Sequence, residues 1–164
     1  MNMTIKQLAV GLGIGLATLT AYGSGDDLRN MVELFRSDVS AAKKETIIAA
    51  MQLTEDEAKV FWPIYREYEV EFAKIGDERV ALIENYIRVH TDGTMDNQTA
   101  DDITEKSFNF YQKRFDLWKK YHAKISKALS PVRAAEFLQL EHQASLLIDI
   151  GIASELPLIG ANQK

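Results

Sequence analysis

Large apolar residues recur every three or four positions between residues 54 and 90, the longest periodic stretch in the chain. The stripe consists of Phe61, Ile64/Tyr65, Tyr68, Phe72, Ile75, Leu82/Ile83 and Tyr86. Thr54 and Glu57 precede it as Thr-x-x-Glu, a pattern in which hydroxyl and carboxylate each cap a backbone N–H of the first turn. The spacing predicts a helix of about 36 residues, roughly 54 Å long, which needs a partner of similar length to cover its apolar side.

A second periodic stretch supplies that partner. Its apolar positions are Ile103, Phe110/Tyr111, Phe115, Trp118, Tyr121/His122, Ile125 and Leu129. Between the two stretches, residues 91–97 form the strongest turn signal of the chain, with Asp92 and Gly93 at the turn and Asp96 or Asn97 as the next helix cap. Two helices of similar length joined by a short loop predict an antiparallel helical hairpin.

Two further helices complete the predicted fold. Helical spacing of apolar residues covers about 26–51, and Ser130 followed by Pro131 is a typical helix start for a fourth helix that ends before Pro157. No stretch shows the alternation typical of a strand. The sequence therefore predicts an all-α fold of four helices built around the long hairpin.

Residues 1–23 differ in character from the rest. They contain a single lysine as their only charged residue, an uncharged apolar run over 8–20, and small residues at Ala21 and Gly23, the two positions that a signal peptidase reads. This pattern predicts a cleaved secretory signal peptide, a periplasmic location and a single helical domain over 24–164. An N-terminal membrane anchor is the alternative, although the run is shorter than the roughly 20 residues of a membrane span. After cleavage we expect no stable span.

Composition and motifs narrow the function. The chain has 164 residues, a net charge of −5 and no cysteine. The acidic balance, together with export, argues against nucleic-acid binding. The sequence contains no cysteine nucleophile, Gly-x-Ser-x-Gly, phosphate loop or His-Glu-x-x-His, so we expect no enzymatic activity and no cofactor.

Two helix starts resemble each other at an offset of 76 residues. Leu53-Thr54-x-x-Glu57 and Leu129-Ser130-x-x-Arg133 each place a leucine ahead of a hydroxyl cap, and an alanine and a phenylalanine follow at matching positions. An ordinary similarity between helix starts is the alternative explanation, since capping patterns are common.

With its export signal, its helices and its lack of cysteine, the chain resembles the Spy/CpxP group of periplasmic proteins, whose signature is a repeated Leu-Thr-x-x-Gln. Both copies here lack the glutamine, and the second has serine in place of threonine. The resemblance implies a curved helical hairpin, often dimeric, that binds unfolded proteins without ATP or modulates an envelope-stress sensor.

Aromatic residues are concentrated on the two long helices. Neighbours such as Phe61/Trp62 and Phe110/Tyr111 point about 100° apart on a helix, so they cannot all share one thin interface. Core packing is the alternative for most of them. The candidates for binding an unfolded or partner protein are Phe61, Trp62, Tyr65, Phe108, Phe110, Tyr111 and Trp118.

Basic residues lie on the second long helix, where Lys113, Lys120 and Lys124 recur near one face. In the functional interpretation they form a positive rim that attracts acidic segments of an unfolded chain. In the alternative they are a solvated face paired with acids, such as Lys120 with Asp116.

The leading hypothesis is thus an exported chaperone or stress adaptor, acting as a monomer or a homodimer, whose partners are unfolded proteins or an envelope sensor. A purely structural or regulatory partner of a membrane sensor is a further possibility. Metal binding or metal sensing is another alternative, because His122 and His142 could meet across helices near Glu141. Neither histidine has a strong ligand three or four residues before it, so both are weak candidates.

Overall fold

The computed structural model describes residues 42–159, and within that range every regular element is a helix. The helices are α1 (described over 42–51), α2 (Glu55–Thr91), α3 (Asn97–Ala128) and α4 (Pro131–Glu155). The predicted all-α class is therefore confirmed. The predicted signal peptide and the first part of the predicted helix over 26–51 lie outside the described residues.

Helix α2 begins with the capping box that its sequence predicts. The Thr54 hydroxyl accepts a hydrogen bond from the Glu57 N–H at 3.3 Å, and the Glu57 carboxylate accepts one from the Thr54 N–H at 2.9 Å. The helix then continues through Pro63 for 37 residues, close to the predicted length. Three acidic residues in its first turn complement the positive end of the helix dipole.

The connection between α2 and α3 also follows the sequence. Gly93 has φ of +65°, the left-handed region that residues with a Cβ rarely adopt, and the Thr94 N–H closes the turn on the Val89 carbonyl at 3.1 Å. Asp96 then caps α3 by accepting the Thr99 N–H at 2.8 Å. A turn this tight sends α3 back along α2.

Ion pairs between the two helices establish their antiparallel direction. The pairs are Glu67–Lys124, Glu71–Lys120 and Glu78–Lys113. As the position on α2 rises, the position of its partner on α3 falls. Helix α4 reverses direction again, with Arg114 of α3 bound to Asp149 of α4, so α4 runs parallel to α2.

The main cluster of buried side chains lies at the end of the molecule where α1 joins α2 and α3 joins α4. The buried cluster there comprises Ile47, Met51, Phe61, Ile64, Tyr65, Tyr68, Leu117, Tyr121, Ile125, Ala134 and Phe137. Phe137 of α4 contacts the Phe61 ring edge-on at 6.1 Å and the Tyr68 ring at 5.1 Å, which ties α4 to α2. Within residues 42–159, none of the helices combines the length and the apolar character that a bilayer crossing needs.

Candidate binding surface

The predicted aromatic candidates divide into buried and exposed rings. Phe61 and Tyr65 have 0% and 1% of their surface exposed, and Phe110 has 7%. The prediction that these three contribute to an accessible surface is therefore wrong in this structure. Phe61 and Tyr65 are enclosed because α2 has neighbours on several sides, and Phe110 is enclosed by the guanidinium groups of Arg79 and Arg114 at 4.9 and 5.1 Å.

The two tryptophans are half-buried. Trp62 packs edge-on against Phe61 at 5.1 Å and lies beneath the Lys44 ammonium at 5.7 Å. Trp118 donates its indole N–H to the Tyr68 hydroxyl at 3.2 Å. Both rings thus stand at the edge of the core, with only part of their surface open to a partner.

An outward-facing row of rings runs along α3. Phe108, Tyr111 and Phe115 are 69%, 49% and 53% exposed, and their three- and four-residue spacing places them on one side of the helix. We call these three residues the α3 aromatic stripe. Together with Arg114 and Trp118 they line a shallow surface groove. Phe115 was among the apolar positions of the second periodic stretch but not among the binding candidates, and its exposure adds it to this row.

Two exposed aliphatic residues of α4 lie at the height of this groove. Arg114–Asp149 and the Trp118–His142 ring contact at 5.6 Å fix the register of α3 against α4. That register places Leu146 and Ile150, both exposed, at the same levels as the α3 aromatic stripe.

Arg114 anchors the inner edge of the stripe. Its guanidinium lies 5.2 Å from the Tyr111 ring and 5.3 Å from the Trp118 ring, and it donates two hydrogen bonds to Asp149 at 3.1 and 2.9 Å. Arg79 of α2 binds the same carboxylate at 2.7 Å. Burial opposes the charge on Asp149, but the hydrogen bonds and charges of the two arginines outweigh it and lower the pKa. Asp149 thus links α2, α3 and α4 next to the α3 aromatic stripe.

The predicted lysine rim lies elsewhere on α3. Lys113, Lys120 and Lys124 are turned about 120° or more from the α3 aromatic stripe, toward α2. Each binds a carboxylate of α2, with distances of 2.6 Å for Lys113–Glu78 and 2.7 Å for Lys120–Glu71. The hydrogen bond from Lys120 is the main cause that lowers the pKa of Glu71. These pairs match the alternative interpretation, a solvated face paired with acids, except that the acids come from α2 and not from Asp116.

The two similar helix starts meet in space. Leu53 and Leu129 pack against the core, and Ser130 caps α4 by accepting the Arg133 N–H at 3.2 Å. Arg133 grips the Glu57 carboxylate with two hydrogen bonds, at 2.8 and 3.0 Å. The two positions at which the glutamine of the Leu-Thr-x-x-Gln signature is replaced therefore carry complementary charges.

This contact, which we call the Glu57–Arg133 clasp, is reinforced on both sides. Arg133 also donates to the Met51 carbonyl at 2.8 Å and to Glu136 at 2.9 Å. The Arg133 hydrogen bonds and the Thr54 N–H lower the pKa of Glu57 to about 2. The sequence comparison aligned these positions, but it did not predict that they touch.

A buried polar network crosses the core and was missed at the sequence level. Glu141 of α4 accepts the Tyr68 hydroxyl at 2.7 Å and pairs with Lys43 of α1 at 3.1 Å. Burial and the Glu141 charge raise the pKa of Tyr68 well above its ordinary value. The available signal was the phase of Lys43, which precedes Ile47 and Met51 by four and eight residues and so shares their buried face.

The histidines do not define a site. His142 is exposed and rests against Trp118, and His122 is half-buried. Across the part of the chain that the structure describes, no group of three or more His, Asp or Glu side chains is placed to hold a metal ion.

The geometry assembles one open apolar surface along the α3 aromatic stripe and one ion-paired seam between α2 and α3. Chemically, the open surface can bind apolar segments, whereas the carboxylates and ammonium groups of the seam already satisfy each other. Comparison with protein-family models, with curated proteins and with solved structures finds no match for this chain.

Proposed function

We propose that this chain is an exported, ATP-independent binding protein, a Spy/CpxP-like chaperone or envelope-stress adaptor that holds unfolded or partner protein on the α3 aromatic stripe. The observation that carries the proposal is the exposure of Phe108, Tyr111 and Phe115 in one row. Soluble monomers seldom leave three neighbouring rings in water unless the surface has a partner. The uncharged run over residues 8–20 supports export to the periplasm.

The size of the surface favours weak, reversible capture. Three rings about half exposed offer roughly 350 Å² of apolar area. At about 25 cal/mol per Å² this corresponds to about 9 kcal/mol of gross transfer energy, and association costs about 4–15 kcal/mol. The net affinity is therefore low. A protein that must release its client without ATP needs such an affinity.

The charges beside the stripe define the chemistry of the client. Arg114 beside the stripe is already neutralised by Asp149, whereas the exposed Lys119 ammonium lies 5.2 Å from the Phe115 ring. Apolar segments flanked by an acidic residue can therefore place their rings or aliphatic groups on the stripe and a carboxylate near Lys119.

Light scattering of an aggregating client tests the proposal directly. The full chain at several-fold excess is expected to suppress aggregation of a chemically unfolded protein. A variant with serine in place of Phe108, Tyr111 and Phe115 is expected to lose most of that suppression, because the rings supply the contact area. The matched control replaces Lys113, Lys120 and Lys124 by glutamine and is expected to retain suppression. Equal suppression by the serine variant, or none by the unmodified chain, contradicts the proposal.

A further inference from the structure

The Lys43 ammonium lies inside a cage of aromatic rings. It is 4.9 Å from the centre of the Phe72 ring, 5.4 Å from Tyr68 and 5.7 Å from Tyr65, and it pairs with Glu141 at 3.1 Å. Lys43 is only 7% exposed and Glu141 only 1%. Several ring faces around one carboxylate form the kind of site that recognises an ammonium group. We call these four surrounding residues the ammonium cage.

The ammonium cage is held in place by contacts that do not involve α1. The Tyr68 hydroxyl donates to Glu141 at 2.7 Å and itself accepts the Trp118 N–H at 3.2 Å. The Tyr68 ring stacks on Phe72 at 5.5 Å and meets Phe137 edge-on at 5.1 Å. Because α2, α3 and α4 supply all of these groups, the cage is preorganised, and α1 contributes its occupant.

Within the described residues, three side chains of α1 are buried against this host. Lys43, Ile47 and Met51 follow one another at four-residue intervals, and all three are buried. The connection to α2 passes through Gln52, which has φ of +45°, a conformation that residues with a Cβ rarely adopt. Departure of α1 would release this backbone strain, and the contacts of Tyr68 with Glu141, Trp118 and Phe137 would remain.

We propose that the ammonium cage is a binding site for a basic amphipathic helix, filled in cis by α1 and open in trans to a partner protein. The partner segment would carry a lysine followed by aliphatic residues four and eight positions later, the pattern with which α1 itself binds. Glu141 selects the positive charge, and the space occupied by Ile47 and Met51 selects the aliphatic groups. This site is separate from the α3 aromatic stripe, so the inference does not rest on the proposed function.

Chemical rescue tests the cage itself. Lys43→Ala removes the three methylene carbons and the ammonium of the side chain, which together equal n-propylammonium. The probe, at tens of millimolar, is expected to raise the melting temperature of the full-chain variant by about 3 °C or more. The same concentrations of sodium chloride or n-propanol are expected to leave the melting temperature of Lys43→Ala unchanged. The probe is likewise expected to leave the melting temperatures of wild type and of Lys44→Ala unchanged. A folded Lys43→Ala chain that does not respond to n-propylammonium overturns the ammonium site.

Competition in trans tests the partner site. A fluorescent peptide of residues 41–52 is expected to bind the full-chain Lys43→Ala variant at least tenfold more tightly than wild type, since the variant's own α1 competes less well. The same peptide with Lys43→Met is expected to bind at least tenfold more weakly. Binding that is indifferent to the peptide lysine overturns the proposal.

Hydrogen exchange provides a third test, which uses only the wild-type chain and so does not depend on whether a variant folds. Excess peptide is expected to speed amide exchange over residues 45–51 at least threefold, because a displaced α1 loses its helical hydrogen bonds. Exchange in α2 is expected to stay unchanged. If the peptide binds and exchange in α1 does not rise, displacement is overturned.

Discussion

Helices α2 and α3 carry aromatic residues at the same three- and four-residue spacing, yet they place them differently. Helix α2 buries Phe61, Tyr65 and Tyr68, whereas α3 turns Phe108 and Phe115 into solvent. The cause is the number of packed neighbours. Side chains of α1, α3 and α4 all contact α2, while the described contacts of α3 are with α2 and α4. Periodicity thus identifies a helix face, and only the arrangement of the other helices decides whether that face is covered.

The strongest test of this comparison removes one ring from each helix. Phe61→Ala is expected to lower the free energy of unfolding by about 3–5 kcal/mol, because the removed ring leaves a cavity among Tyr65, Trp62 and Phe137. Phe108→Ala is expected to change it by about 0.5 kcal/mol or less, because that ring is already in water. Urea denaturation of the full chain measures both values.

Similar losses for the two variants would contradict the assignment of inner and outer rings. The slope of the denaturation curve serves as an internal control, since it should remain equal for wild type and Phe108→Ala.

What could be predicted from the sequence also depends on whether a feature is local or arises from the packing of several helices. The capping box at Thr54, the turn at Gly93 and the start at Ser130 were all predicted, because a cap or turn is determined by residues a few positions apart. The antiparallel direction of α2 and α3 followed from two similar lengths and a short loop.

What the sequence could not give were the contacts between distant residues. The Glu57–Arg133 clasp and the Lys43–Glu141 pair join positions 76 and 98 apart, and no local pattern encodes such a pair. Phe115 shares the apolar periodicity of α3, and periodicity alone did not show that no helix covers its face. The aromatic candidates on α2 were wrong where α1 and α4 cover them.

Asp149 binds both Arg79 and Arg114, the two arginines whose guanidinium groups lie against the buried ring of Phe110. Asp149→Asn is expected to lower the free energy of unfolding by about 1–3 kcal/mol, because two largely buried guanidinium groups lose their shared counterion. Urea denaturation measures the loss, and the exposed Asp101→Asn serves as the matched control. A loss no greater than that of the control would show that the arginines do not depend on Asp149 for their placement.

The Glu57–Arg133 clasp joins α2 to α4. Its charges predict that the stability of the fold depends on pH. The pKa of Glu57 is lowered from 4.5 to about 2, so its ionised form stabilises the fold. That stabilisation is present above about pH 4.5 and is lost as the pH falls toward 2. Glu57→Gln keeps the capping box, since glutamine also fits there, but removes the charge.

The wild-type chain is therefore expected to have the higher urea midpoint at pH 5, and its advantage over Glu57→Gln is expected to shrink steadily toward pH 2. Midpoints measured at several pH values in this range check the prediction. An advantage that stays constant with pH would mean that the charge of Glu57 contributes nothing to the clasp.

The smallest expected effect comes from the closed side of α3, where Lys120 faces Glu71. The side chains are 54% and 38% exposed, so water screens the pair, and Lys120→Ala is expected to cost only about 0.2–1 kcal/mol in urea denaturation. Client capture should not change, because the lysine lies on the side of α3 away from the α3 aromatic stripe. If Lys120→Ala instead weakened capture as strongly as Phe115→Ser at equal stability, the lysines and not the rings would hold the client. The lysine side of α3, rather than the α3 aromatic stripe, would then have to be assigned as the binding surface.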